Sequence, residues 1–279
     1  MYKLDNVEHC HTQGSENMIN KENVSEIINT NIDYLHQVQV YVDKTQELGI
    51  AFRYTPVEAI KNYLAREANL IMFPSDDLEY GGLVTYKNGR YFIHINTNQP
   101  KTYENFIWAH EFYHYFFERD KIKASNVRTF ADGSSPNENE RIANLFAAEL
   151  LINSVVLKAL FAEVRRTYGG DRLENQVIRL IQTFKLPYKC LVIKLAQDGL
   201  IKVDEAVEII DYDYRNHLPS DFDMSLLTPS KSVLFDSMSE LLNDPVVKEN
   251  LRASDYQSIN TKYYAHMNHL GGLREKEKE

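Results

Sequence analysis

Asn105-Phe-Ile-Trp-Ala-His-Glu-Phe-Tyr-His-Tyr-Phe-Phe117 decides how the rest of the chain is read, because it sets two histidines and a glutamate into an otherwise apolar run. A helix turns once in about 3.6 residues, so His110 and His114 leave one face a turn apart and can share a metal ion through imidazole nitrogens. Glu111 then points roughly 100° away. That is too far round for a comfortable ligand, yet close enough to take a proton from an attacking water. Apolar residues on nearly every side predict a helix buried inside a domain. Unpaired polar groups there cost about 1–3 kcal/mol each, and a metal removes the penalty. The spacing is the zinc-and-base signature of metallohydrolases; the competing reading is a pair of satisfied core histidines.

A hydrolytic zinc site needs a third protein ligand and an open position. Downstream, Ser134-Ser-Pro-Asn-Glu-Asn-Glu-Arg-Ile-Ala-Asn-Leu-Phe-Ala-Ala-Glu-Leu-Leu151 predicts a second buried helix, with Ser135 as N-cap, Pro136 at the first helical position and Glu138 closing a capping box. Glu140 shares a stripe with Asn144, Ala147 and Leu151, where small residues allow another helix to come close. Glu140 is therefore the expected third ligand. Glu149, on the opposite side and read as a solvent or rim residue, and Glu138 are the weaker candidates.

These two segments together resemble the ImmA/IrrE family of zinc metallopeptidases: Phe106-Ile-Trp-Ala-His-Glu-Phe-Tyr-His-Tyr-Phe116 pairs with Glu140-Arg-Ile-Ala-Asn-Leu-Phe-Ala-Ala-Glu-Leu-Leu151. Gly49-Ile50, Pro56-Val57, Gly82 and Phe92-Ile-His-Ile-Asn96 are similar to the family's amino-terminal portion, and Phe184 to Ile201 to its helix-turn-helix-like tail. The likeness spans residues 45 to 202. Phe112-Tyr113 stands where Leu-Gly is common, Ile152-Asn153 where Met-Pro is usual, and Pro187 where serine is usual; none of these is a ligand position, but Tyr113 could reshape the cleft. The resemblance implies a Zn2+ endopeptidase in which His110, His114 and Glu140 hold the metal and Glu111 activates water. Its implied partner is a protein substrate, a helix-turn-helix transcriptional repressor of a bacterium, phage or mobile element, whose cleavage derepresses genes.

Composition is compatible with this. The chain has 279 residues, is 43% hydrophobic and carries a net charge of −9, so it can build a full core but lacks the broad basic surface that drives non-specific nucleic-acid binding. Direct nucleic-acid binding is not expected, and Lys185, Lys189, Lys194 and Lys202 read as charges on a solvated helix pair. Two distant cysteines, Cys10 and Cys190, make no disulfide framework, which points to a reducing cytoplasm. His9-Cys10-His11 reads as an incidental terminal cluster rather than a metal site. No signal peptide and no membrane span are expected.

The expected fold class is α+β and mainly helical: a zincin-like metallopeptidase core with a small antiparallel sheet, a helix-turn-helix-like segment and a helical carboxy-terminal appendage. Boundaries are expected at 1–44 (polar segment and added helix from Val24), 45–168 (metallopeptidase domain), 169–202 (helix-turn-helix-like segment) and 203–279. Thr55-Pro56 with Glu58 predicts a capped helix to about Ala68. Strands are expected at Leu70–Phe73, Gly82–Tyr86 and Tyr91–Asn96, the last two joined by a hairpin at Asn88-Gly89, leaving a sheet edge where an extended substrate could add as a strand. Residues 119–134 read as a loop that could act as a flap. Beyond Val203, Thr228-Pro229, Asp244-Pro245 and Ser254 read as helix starts, with the last helix ending before Gly271-Gly272, His266 and His269 at its end, and a solvated tail from Arg274. Two other functions fit the same residues: a regulatory binding protein, such as one half of a toxin–antitoxin or phage-control pair, that docks without cutting, and a DNA-binding regulator using residues 173–202.

Overall fold

The computed structural model describes residues 19–125, 138–235 and 242–275. The protein is α+β and mainly helical. A long helix α1 (Val24–Gln46) is followed by a short α2 (Ala51–Tyr54), α3 (Pro56–Glu67), strands β1 (Asn69–Phe73), β2 (Gly82–Lys87) and β3 (Arg90–Asn96), and then α4 (Lys101–Phe117). After α4 come α5 (Arg119–Ser125), α6 (Glu138–Leu151), α7 (Ser154–Thr167), α8 (Leu173–Phe184), α9 (Tyr188–Gln197) and α10 (Val203–Ile209). A two-residue strand β4 (Leu234–Phe235), α11 (Pro245–Asn250) and α12 (Ala253–Glu275) complete the described chain.

The sheet is mixed rather than purely antiparallel, in the order β2-β3-β1-β4. Asn88 and Gly89 take positive φ angles of 52° and 82°, the left-handed pair that a two-residue hairpin demands, so β2 and β3 run antiparallel with Val84 opposite Ile93. β1 lies on the other side of β3 and runs parallel to it, Ile71 opposite His94. β4 was not foreseen, since Thr228-Pro229 was expected to start a helix. Instead the Lys231 N–H donates to the Thr97 carbonyl at 2.9 Å and the Thr97 hydroxyl to the Ser232 carbonyl at 2.8 Å, so this backbone finds its partners along the end of β3 and goes on to pair with β1 through Ile71 and Met72.

Two hydrophobic clusters organise the helices. The first joins Ile60 and Leu64 of α3, Ile93 and Ile95 of β3, Trp108 and Phe112 of α4, and Phe146 of α6. The second gathers Phe161 of α7, Ile178 and Ile181 of α8, Leu191 and Leu195 of α9, and Ile209 of α10. α1 serves both, with Val24 and Ile28 in the second and Val38 and Val42 in the first; Ile32, between them, is 46% exposed.

Several local expectations are corrected. Thr55 makes no side-chain cap to α3, so no capping box forms there; Pro56 alone starts the helix. Residues 119–125 form α5 rather than a loop, while the rest of the expected flap, the Ser135 and Pro136 cap, His9-Cys10-His11 and the tail from Lys276 lie outside the described residues. α12 runs through Gly271-Gly272 and takes in Arg274, which puts positions 266 and 269 inside a helix rather than at its end. Asp244 does cap α11, accepting from the Val246 and Val247 N–H groups. Among the described residues no single helix is long and apolar enough to cross a membrane.

The helix pair α8–α9 is not a solvated pair of the expected kind. Lys194 is 1% exposed, and its ammonium donates to both oxygens of Glu149, at 2.7 and 2.8 Å, and to Asp198 at 2.8 Å. Glu149 is therefore neither a rim residue nor near the histidines: it is the partner of a buried lysine, and burial pushes its carboxyl upward against the pull of Lys194. Lys189 is paired with Asp211 at 2.9 Å. Burial also pushes the Cys190 thiol up to about 12, helped by Glu149, which makes it an inert sulfur. Removing one member of a buried ion group strands the other. Lys194→Met is expected to cost about 3 kcal/mol in urea unfolding, with much of the loss recovered by adding Glu149→Leu; equal stability of Lys194→Met and the parent would show that the ion group carries no such weight.

Candidate metal centre

α4 is central because its middle is enclosed on every side. From Ile107 to Tyr115 every residue is buried, with β2 and β3 on one side and α3 and α6 around the rest. Its polar groups are met one by one: Glu104 accepts from Ser230 at 2.7 Å and from Lys101 at 2.8 Å, and Asn105 donates to the Lys185 carbonyl. His110 and His114 project from this helix toward α6, where the small side chains of Ala143 and Ala147 are wholly buried and let the two helices approach.

There, His110, His114 and Glu140 bring one potential ligand atom each to within 4.8 Å of one another. The two Nε2 atoms are 3.1 Å apart, and Glu140 reaches them at 3.1 Å (His110) and 3.4 Å (His114). The opposite ring edges fix the tautomers. Nδ1 of His114 lies 2.7 Å from Glu118, which when ionised can only accept, so Nδ1 carries the hydrogen. Nδ1 of His110 is 3.0 Å from Oδ1 of Asn144 and donates to it in the same way. In their neutral forms both rings therefore turn lone pairs toward each other and toward a carboxylate. That arrangement is repulsive unless a cation sits between them. One candidate is a proton: burial alone would depress His114, but Glu118 and Glu140, aided by Glu111, raise it to about 10. Burial would raise Glu140, but hydrogen bonds and charge from His110 and His114 hold it well below the usual carboxylate range. The other candidate is a metal ion, and the donor set fits one: two imidazole nitrogens on a tetrahedral ion with bonds near 2.0–2.1 Å are about 3.3 Å apart.

Glu111 stands beside this cluster, 1% exposed, and its Oε2 has no hydrogen-bond partner among the described residues. Burial pushes its carboxyl up to about 7, opposed by His110 and His114 and reinforced by Glu140. β2 holds it in place. A Cβ on Gly82 would lie only 2.7 Å from Oε1, 2.8 Å from Cγ and 2.9 Å from Cδ of Glu111, so only glycine lets the strand lie this close. Next to it the Tyr80 hydroxyl meets Nδ1 of His94 at 2.5 Å; burial, together with the Glu111 charge, keeps that phenol protonated well above its ordinary range, and burial holds His94 down at about 4.

The structure thus brings together His110, His114 and Glu140 with Glu111 alongside, and takes Glu149 and Glu138 elsewhere; Glu138 accepts from the Tyr34 hydroxyl at 2.9 Å. Sequence reasoning missed Glu118, although its spacing from His114 repeats that from His110 to His114 and was a readable signal. Asn144 was placed on the right stripe without a role. Tyr80 and His94 gave no signal, because only the sheet brings them beside α4.

A buried two-histidine, one-glutamate cluster with a neighbouring carboxylate defines a metallopeptidase type of centre. The chain belongs to the family whose model is described as the IrrE N-terminal-like domain (Peptidase_M78), matched over residues 45–196, and with it to the peptidases. No curated protein and no solved structure matches the chain.

Partners that orient ligand imidazoles are commonly worth 10–100-fold in metal affinity. Asn144→Ala and Glu118→Gln are each expected to weaken metal retention against a competing chelator by about 10–100-fold; unchanged retention in both would show that the rings are held without them.

Proposed function

We propose that the protein is a zinc endopeptidase that cuts a peptide bond in a helix-turn-helix transcriptional repressor, in the cytoplasm, and so releases the genes which that repressor silences. The observation that carries the reading is the convergence of His110, His114 and Glu140 on one point, with Oε2 of Glu111 beside it and without a hydrogen-bond partner among the described residues. Two neutral imidazoles and a carboxylate suit zinc. The family supports peptide hydrolysis, and the resemblance of residues 45 to 202 to the ImmA/IrrE proteins supports a repressor as substrate.

When bound, zinc supplies Lewis acidity that polarises the scissile carbonyl and acidifies water. His110, His114 and Glu140 would hold it. Glu111 accepts the proton of the attacking water as the new C–O bond forms and hands it to the leaving amine as the C–N bond breaks. Gly82 fixes where that carboxylate stands, and β2, at one end of the sheet order, is the strand alongside which an extended substrate would run.

Metal analysis of the purified chain is expected to give about one zinc per molecule, lost in His110→Ala and weakened in Glu140→Gln. Glu111→Gln is expected to keep the zinc and lose repressor cleavage. A variant that kept its biological effect without its carboxylate would instead identify a protein that acts by docking. Because Glu111 must be ionised to accept a proton, kcat/KM is expected to fall as pH drops, with the acidic limb at or below about 7, since a bound cation pulls the carboxyl further down. A limb clearly above that value would remove Glu111 from the role of base.

A further inference from the structure

A second concave site lies at the far end of α3. A concavity of about 510 Å³ opens between the last turn of α3, the β2–β3 hairpin and α5, and Arg66, Arg90, Arg119 and Lys123 line it, with Glu67 the only carboxylate among the described lining residues. None of His110, Glu111, His114 or Glu140 contributes to it. The chain as a whole carries 40 acidic residues against 31 basic ones, so four cations against one acid is a local reversal of its charge. Nor are these cations spent on ion pairs: among the described residues none of the four lies in a salt bridge. Two are also braced against aromatic rings, and Arg119 has the Tyr91 hydroxyl and the Asp120 carboxylate near it. The Arg119 guanidinium lies over the rings of Tyr91 and Tyr115, at 5.4 and 5.5 Å, and the Lys123 ammonium lies over Tyr86 at 5.6 Å.

We propose that this cavity binds a small phosphate-bearing molecule. Like charges gathered round one concavity repel one another and are relieved by an anion in their midst. Guanidinium groups match phosphate oxygens with paired N–H donors, and the exposed Arg66 and Arg90 can turn theirs to a bound anion. Because Lys123 and Arg119 already cover the faces of Tyr86 and Tyr91, the cavity offers its charge rather than bare rings, so the phosphoryl group is the recognised element. A volume near 510 Å³ is that of an ordinary small-molecule site.

The test is calorimetric titration of the full chain with inorganic phosphate, pyrophosphate and ADP, beside Arg66→Ala/Arg90→Ala, Arg119→Ala and Glu140→Gln. At least one probe is expected to bind the parent protein at one site, to weaken at least about 10-fold in each arginine variant, to weaken further with added salt, and to bind Glu140→Gln unchanged. ADP binding far more tightly than pyrophosphate would place a nucleotide in the cavity; equal affinities would assign recognition to the phosphates alone, and both support the site. Circular dichroism of the variants separates lost binding from lost folding, and the exposed Arg66 and Arg90 make the double variant the decisive one. No binding by any probe, binding unchanged in a folded Arg66→Ala/Arg90→Ala variant, binding abolished by Glu140→Gln, or binding of an oligonucleotide alone would each overturn the proposal.

Discussion

Two imidazole lone pairs and a carboxylate aimed at one another are tolerated inside a folded chain only with positive charge between them, and that requirement explains why the surroundings of α4 are built as they are. Nε2 of each ring faces the shared point, and an acceptor stands behind each ring at Nδ1: Asn144 from α6 and Glu118 from the end of α4. Glu140 must reach both rings, so α6 packs close, and alanines face the contact. Glu111 must stay near without joining, so β2 passes directly over it, and at that point the strand has a glycine. Each feature answers the same electrostatic demand from a different element of the fold.

The demand also sets the chemistry. Glu118 and Glu140 give His114 a strong preference for a cation, whereas Glu111 lies in a drier position where ionisation is resisted. Three carboxylates within one small region thus sit differently: Glu118 meets one ring, Glu140 reaches both, and Glu111 keeps an oxygen without a partner among the described residues. Environment alone separates them.

Much of this was legible in the chain because helical spacing is a local property. His110, Glu111 and His114 fall within five residues, Glu140 and Asn144 within one turn, and the apolar residues around both segments announce burial. The hairpin was legible for the same reason, since Asn88-Gly89 carries its own turn. What could not be read depends on partners far away in sequence. β4 exists because residues 230–235 meet Thr97 and β1, and Pro229, which looked like a helix start, bridges Pro100 instead. Glu149 and Lys194 looked like ordinary surface charges until α6 and α9 were placed side by side. The Glu118 contact needed no tertiary information, only one further step along a stripe already in view.

The Lys194 ammonium has an implication for how such chains can be recombined in evolution. It is held mainly by Glu149, which lies on the same helix as Glu140, so the segment that looks like an appended helix-turn-helix is wired to the helix that carries the glutamate of the candidate metal centre. A gene fusion or deletion with its breakpoint between α7 and α8 would leave a carboxylate buried without its counter-charge nine residues from Glu140. The matched family segment, which ends at residue 196, extends just past that lysine. The matched segment thus contains both ends of this buried ion pair, Glu149 and Lys194.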